Sequence, residues 1–148
     1  MAKAKKETKL TDHFTLEELS YTSKKDYKKT NLSEATQKKE QMQKLAEFAE
    51  DVRSVLGCPM YITSGYRCPA LNKAVGGSKT SQHLKCEAVD FITKKMSLFE
   101  AFGRIIASDL KWGQLILELR NKDYLIHISI GTKREIFYSP GVNLYERK

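Results

Sequence analysis

Apolar positions along the chain recur at helical spacing in two stretches and alternate at strand spacing in several others. Met42, Leu45, Phe48, Ala49, Val52, Val55 and Leu56 fall three and four residues apart, which lays one apolar stripe along a helix. The spacing predicts a long helix over residues 33–56, closed by Gly57 and Pro59. Leu98, Phe99, Phe102, Ile105, Ile106 and Leu110 predict a second helix with its own apolar face. Thr15 with Glu18, and Ser97 with Glu100, have the spacing of capping boxes, and Phe14 with Leu19 suits a hydrophobic staple over a short first helix. A polar, lysine-rich connection is expected over residues 22–32. Strands are expected over residues 60–63, 88–92, 114–119, 124–130 and 135–138, where apolar residues cluster or alternate. Residues 64–87 read as one long loop, and a loop of that length inside a compact domain is usually functional. Helices first and an antiparallel meander afterwards predict an α+β fold, an antiparallel sheet with helices packed on one side.

Length and composition narrow this picture. At 148 residues, 41% of them hydrophobic, the chain suits one globular domain. Residues 1–10 read as a loose basic tail and 11–148 as the domain. No apolar run approaches the ~20 residues that cross a bilayer, so membrane insertion is not expected. The charged start is followed by no apolar segment of the secretory kind, which predicts synthesis in the cytoplasm. Cys58, Cys68 and Cys86 cannot all pair within the chain and lack zinc-knuckle spacing, so reduced thiols are expected. The net charge of +8 favours polyanions such as nucleic acid, anionic lipid or an acidic cell-wall polymer. No stacking or groove-reading motif accompanies that charge, so nucleic acid ranks last.

Candidate chemistry lies in Ser81-Gln82-His83-Leu84-Lys85-Cys86-Glu87-Ala88-Val89-Asp90 and in Ile126-His127-Ile128-Ser129. Side chains alternate across a strand. Asp90 therefore faces away from Val89 and Phe91, and His127 away from Ile126 and Ile128. Both polar residues stand on the face opposite the apolar one. His83 precedes Asp90 by seven residues, a spacing that suits a loop folding back over the strand and not one helix face. Two histidines and a carboxylate fit a catalytic zinc, which takes three protein ligands and leaves a fourth position for water; the same set also fits iron with open positions. A hydrolytic site needs a general base as well. If Asn121-Lys122 makes a two-residue turn, Leu119 faces Tyr124 and Glu118 faces Leu125. Glu118 then lies diagonal to His127 at roughly 7–8 Å, while Asp123 is roughly 13 Å away. Glu118 is the preferred base. His13 reads as a surface residue, and Tyr66, Trp112 and Phe91 taken alone read as packing.

At these residues the chain resembles the M15 family of zinc D-Ala-D-Ala peptidases, in the short form found in phage and bacterial genomes. The family signature Ser-x-His-x-x-Gly-x-Ala-x-Asp is met by Ser81, His83, Ala88 and Asp90, and its distant histidine strand by Ile126-His127-Ile128-Ser129. Ile62-Thr63-Ser64-Gly65-Tyr66-Arg67, Leu71-Asn72 and Gly76-Gly77-Ser78 resemble the family's substrate-loop pattern. The metal-site core is also similar to that of the hedgehog amino-terminal domain. The resemblance implies zinc on His83, Asp90 and His127 and Glu118 as base. It implies Arg67 gripping a substrate carboxylate or oxyanion, and Ser81, Gln82 and Tyr66 contacting the peptide. It further implies hydrolysis of peptidoglycan stem peptides at or near D-alanine, as in a phage endolysin released to the wall or carried by a virion.

One position departs from the signature, since Cys86 stands where the family has glycine. Glycine permits positive φ and close approach, which cysteine tolerates less well, and a thiol is itself a zinc ligand. Cys86 is therefore harmless, or distorts the loop, or fills the water position. The last case predicts a degenerate, metal-stabilised wall-binding or virion structural protein.

Overall fold

The computed structural model of the chain describes residues 7–120, 122–138 and 142–143. Of the tail expected over residues 1–10, the first six residues lie outside this description. From Thr8 onward the chain is already held: the Thr8 carbonyl accepts from the Leu16 amide at 2.8 Å, and Lys9 bridges to Thr15. The first helix, α1 (Leu16–Leu19), has the predicted capping box with both halves formed. Phe14 and Leu19 are buried beside it.

The single helix expected over 33–56 is two, α2 (Lys28–Thr36) and α3 (Lys39–Leu56), preceded by a 3-10 turn at Lys25–Tyr27. The connection expected over 22–32 is thus largely helical. The break has a local cause. The Thr36 hydroxyl donates back to the Leu32 carbonyl at 2.8 Å, a bond that bends helices, and Lys38 leaves the helical region with φ −115° and ψ 43°. From α3, Met42, Leu45, Phe48, Ala49, Val52 and Leu56 are buried as predicted, and Val55 is half-buried. Each of the larger side chains contributes about 1.5–3 kcal/mol by leaving water.

The strands are β1 (Tyr61–Ser64), β2 (Ala88–Ile92), β3 (Gln114–Arg120), β4 (Asp123–Ser129), β5 (Glu135–Tyr138) and β6 (Val142–Asn143), in the sheet order β1-β2-β4-β3-β5-β6. Between β1 and β2 lie α4 (Pro69–Ala74) and a 3-10 helix at Gln82–Lys85, so the long loop expected there is partly helical. Between β2 and β3 lies α5 (Leu98–Ala107). Its Ser97 cap accepts from the Glu100 amide at 3.1 Å, while the Glu100 carboxylate pairs with Arg104. Its buried face is Ala101, Phe102 and Ile105; Phe99 and Ile106 are exposed.

The α+β class is borne out, with one difference in topology. β5 pairs with β3 in parallel, because β4 already has β2 on its other side. A simple meander is therefore closed off. The β3–β4 hairpin has the expected register, Leu119 opposite Tyr124 and Glu118 opposite Leu125. Of its turn, Lys122 has φ 71° and Asn121 lies outside the described residues. Leu115, Leu117, Ile126, Ile128, Val89 and Phe91 join the helices in one core, with Trp112 and Tyr66 fully buried among them. The opposite face of the central strands carries the polar residues.

Candidate metal centre

β2 and β4 pair so that Asp90 lies directly opposite His127. Their neighbours point into the core, so both polar side chains emerge together on the far face. His83 reaches the same point from the 3-10 helix at Gln82–Lys85, whose cap Ser81 accepts from the His83 amide at 3.2 Å. Ligand atoms of His83, Asp90 and His127 all lie within 4.8 Å of one another. Asp90 Oδ1 is 2.8 Å from His127 Nδ1 and 3.3 Å from His83 Nε2. The donors of a tetrahedral zinc stand about 3.3 Å apart, given bonds of about 2.0–2.1 Å.

The outer hydrogen bonds of the two rings assign their tautomers. His83 Nδ1 is 2.7 Å from the Gly65 carbonyl oxygen. That oxygen can only accept, so Nδ1 carries a proton, and Nε2, 3.3 Å from Asp90 Oδ1, is the nitrogen placed to ligate a cation. His83 Nε2 is buried and has no hydrogen-bond partner among the described residues. A buried ring nitrogen without a hydrogen-bond partner beside a buried carboxylate leaves a need that a cation fills. His127 Nε2 lies 3.0 Å from Gln82 Oε1 and Nδ1 lies 2.8 Å from Asp90 Oδ1; a cation that takes the Nδ1 lone pair leaves the proton on Nε2, facing the Gln82 oxygen. Metal-ligating histidines characteristically donate their second N–H to an oxygen in this way. The donor set and its surroundings fit a divalent cation.

Asp90 is 0% exposed. Burial by itself pushes a carboxyl upward. Here the positive charge and N–H groups of the His83 and His127 rings overcome burial and hold the group well below the usual carboxylate range; a bound cation would take the place of those protons. Asp90 is therefore anionic, as a ligand must be.

Above the cluster opens a cleft of about 980 Å³. One wall carries Arg67, Gly77, Ser78, Ser81 and Gln82; the other carries Gln114, Ile116 and Glu118 from β3, beside His127. Ile116 is the register partner of His127, and Glu118 sits two residues further on. Asp123 is exposed at the strand end and does not line the cleft. Arg67 is 8% exposed; its amide donates to the His83 carbonyl at 3.1 Å, and Nη1 donates to Asn72 Oδ1 at 3.1 Å. Ser81 lines the cleft while capping the 3-10 helix. Tyr66, expected among the peptide contacts, is 1% exposed and absent from the cleft wall. Its ring packs in the core instead, as its composition alone suggested.

Cys86 has φ 59° and ψ 36°, the left-handed conformation that favours the glycine it replaces. Its thiol is buried in the hydrophobic core and lines a separate hollow with Gln41, Lys44 and Phe48 of α3. It is not among the clustered ligand atoms. Of the three cases at residue 86, a sulfur filling the open position does not occur, and the backbone carries the strain of a left-handed cysteine.

Two supports escaped the sequence reading. Asn31 of α2 is fully buried, donates to the Ser20 and Tyr66 carbonyls at 2.7 and 2.9 Å, and accepts from the Cys68 amide at 2.7 Å. It clamps the backbone on both sides of Arg67. Gly65 lies against α1, where any Cβ would overlap the Leu19 carbonyl, and its own carbonyl orients His83. Only the Ser-Gly-Tyr-Arg pattern hinted at the second, and nothing local marks Asn31.

The family model described as Peptidase M15 matches residues 12–129 of the chain. No curated protein matches it.

Proposed function

The chain belongs to the peptidase M15 family, a family of metal-dependent peptidases, and from that premise we propose a zinc peptidase that hydrolyses peptidoglycan stem peptides at or near D-alanine. The observation that carries the reading is the convergence of His83, Asp90 and His127 beneath a cleft, with both outer imidazole nitrogens engaged by oxygen. These three side chains would hold the ion. Zinc held there would supply Lewis acidity toward a carbonyl oxygen and would bring the ionisation of water near neutral pH.

The remaining work falls to the chain's own groups. Glu118, on the cleft wall near His127, accepts the proton of the attacking water and returns it to the leaving amine. Arg67 binds the peptide's terminal carboxylate or the oxygen that gains charge, a task suited to a planar guanidinium. Gln82 keeps its amide oxygen on His127, so it acts on the ligand in addition to the peptide. The charge of +8 draws the protein toward an anionic wall. No helix of the described residues is long and apolar enough to cross a membrane. An endolysin-type role, with release to the wall from the cytoplasm or carriage on a phage, is consistent with that charge.

The test is turnover of purified muropeptides by the zinc-loaded protein, after chelation, and after zinc is restored. Release of D-alanine or of cross-linked halves should vanish on chelation and return with zinc. Equal turnover in all three states would overturn the proposal.

A further inference from the structure

Asn72, in α4, stands at the junction of three parts of the cleft wall. It is 4% exposed. Its Oδ1 accepts from Arg67 Nη1 at 3.1 Å, its Nδ2 donates to the Ser78 carbonyl at 2.9 Å, and its backbone carbonyl accepts from the Gly77 amide at 2.9 Å. Gly77 closes over the same bond. A Cβ built on it would stand 2.8 Å from Asn72 Cγ and 2.7 Å from Arg67 Nη1, closer than packed atoms tolerate. The backbone at residue 77 must therefore be bare for the Asn72–Arg67 bond to form where it does.

A guanidinium is a rigid plane with five donors. Fixing one of them fixes the plane, and so the direction in which the others can meet an anion. The backbone of Arg67 is anchored at His83 and by Asn31 on either side, but those bonds leave the side-chain torsions open. Asn72 engages the guanidinium head itself, through Nη1.

We propose that Asn72 is a positioning residue for Arg67: with Gly77 pressed against it, it sets the plane of the guanidinium in the cleft and thereby sets the preference for peptides that end in a free carboxylate. The proposal rests on the reading of Arg67 as the substrate's anion contact.

Two measurements test it. The first uses metal-free protein and no substrate: the ¹⁵N spectrum of the Arg67 guanidinium. Rotation about Nε–Cζ is hindered in the wild type and in Asn72→Asp, which keeps the acceptor. It becomes fast in Asn72→Ala and in Gly77→Ala. The second compares hydrolysis of matched muropeptides ending in carboxylate or in carboxamide by the zinc-loaded forms. Asn72→Ala lowers the carboxylate preference about tenfold, the order expected for weakening one charge-assisted hydrogen bond, with bound zinc unchanged, and Asn72→Asp restores most of it. Asn72→Ala with hindered rotation retained, or with stability lost and the preference intact, overturns the proposal. Arg67→Lys is the control: an unchanged preference there removes the anion contact and the proposal with it. If the wild type cleaves neither peptide, the peptidase reading falls, and the spectrum alone decides whether Asn72 positions the guanidinium.

Discussion

Replacing Gln82 by leucine isolates the tautomer assignment on which the metal site depends. The substitution removes the oxygen 3.0 Å from His127 Nε2 and keeps roughly the same volume. His83 offers no such handle, because its partner is a backbone carbonyl. The lost bond is neutral and partly buried, worth about 0.5–1.5 kcal/mol net. Without it His127 divides between two tautomers, only one of which presents Nδ1, and halving that population costs about 0.4 kcal/mol. Because the bond is made with and without the ion, its own worth largely cancels; the tautomer cost together with a less basic ring predicts zinc binding weaker by about tenfold, the low end of the 10–100-fold typical of lost outer partners. Competition against a chromophoric chelator at fixed pH measures this, with circular dichroism of the metal-free form as the control for folding. Gln82→Glu, which retains an acceptor, should bind zinc at least as well as the wild type. The ¹⁵N imidazole spectrum of the loaded wild type should show His127 protonated at Nε2. Affinity within twofold for Gln82→Leu, or a proton found on Nδ1, would refute the assignment.

Glu118→Gln should lower kcat by about 10²–10⁴-fold, the usual contribution of a general base, while zinc stoichiometry measured by atomic absorption stays constant. Cys86→Gly should leave activity and bound metal unchanged, since relief of about 1–2 kcal/mol of left-handed strain is offset by the loss of a buried side chain. Burial also pushes the Cys86 thiol up to about 11, so iodoacetamide at neutral pH should modify it only after unfolding. Asp90 is held below its unfolded value near 3.9, so its ionised form contributes stability above that pH and the contribution is lost as pH falls toward the lower folded value. Urea unfolding of metal-free protein between about pH 5 and pH 3 should therefore fall more steeply for the wild type than for Asp90→Asn, and parallel slopes would count against the pairing.

Local pattern revealed what depends on neighbours in sequence. The register of β3 against β4 followed from a two-residue turn and alternation, and with it the place of Glu118 on the same face as His127. The buried face of α3 followed from its period. What escaped depends on pairs distant along the chain. That β2 lies beside β4, putting Asp90 opposite His127, is not encoded in either strand alone; parity gave each residue its face but not its partner. The parallel β3–β5 pair is a consequence of that same neighbour taking the other edge of β4. The break between α2 and α3 was hidden because its polar residues are good helix formers, and a hydroxyl bonding back one turn leaves no periodic trace. Asn31 looked like any polar residue of a lysine-rich stretch, since an asparagine with all its partners satisfied inside a core shows no local mark of burial.

The hydrogen bonds around Arg67 and His83 tie two segments of the cleft wall together. The Gly65 carbonyl accepts from His83 Nδ1 at 2.7 Å, and the His83 carbonyl accepts from the Arg67 amide at 3.1 Å. Two short segments, 65–67 and 83, are thus bridged twice in opposite directions. Asn31 holds the first segment from α2, and the left-handed Cys86 turn carries the second into β2. A shift of one segment must therefore move both His83 and Arg67, so the spacing between these two side chains is held by the backbone. Residues 86 and 65 serve the two segments differently. The first turns the chain from His83 into the strand bearing Asp90; the second lets α1 press the Tyr66 amide onto the Leu19 carbonyl at 2.7 Å. The placement of His83 and Arg67 relative to each other thus comes from backbone hydrogen bonds.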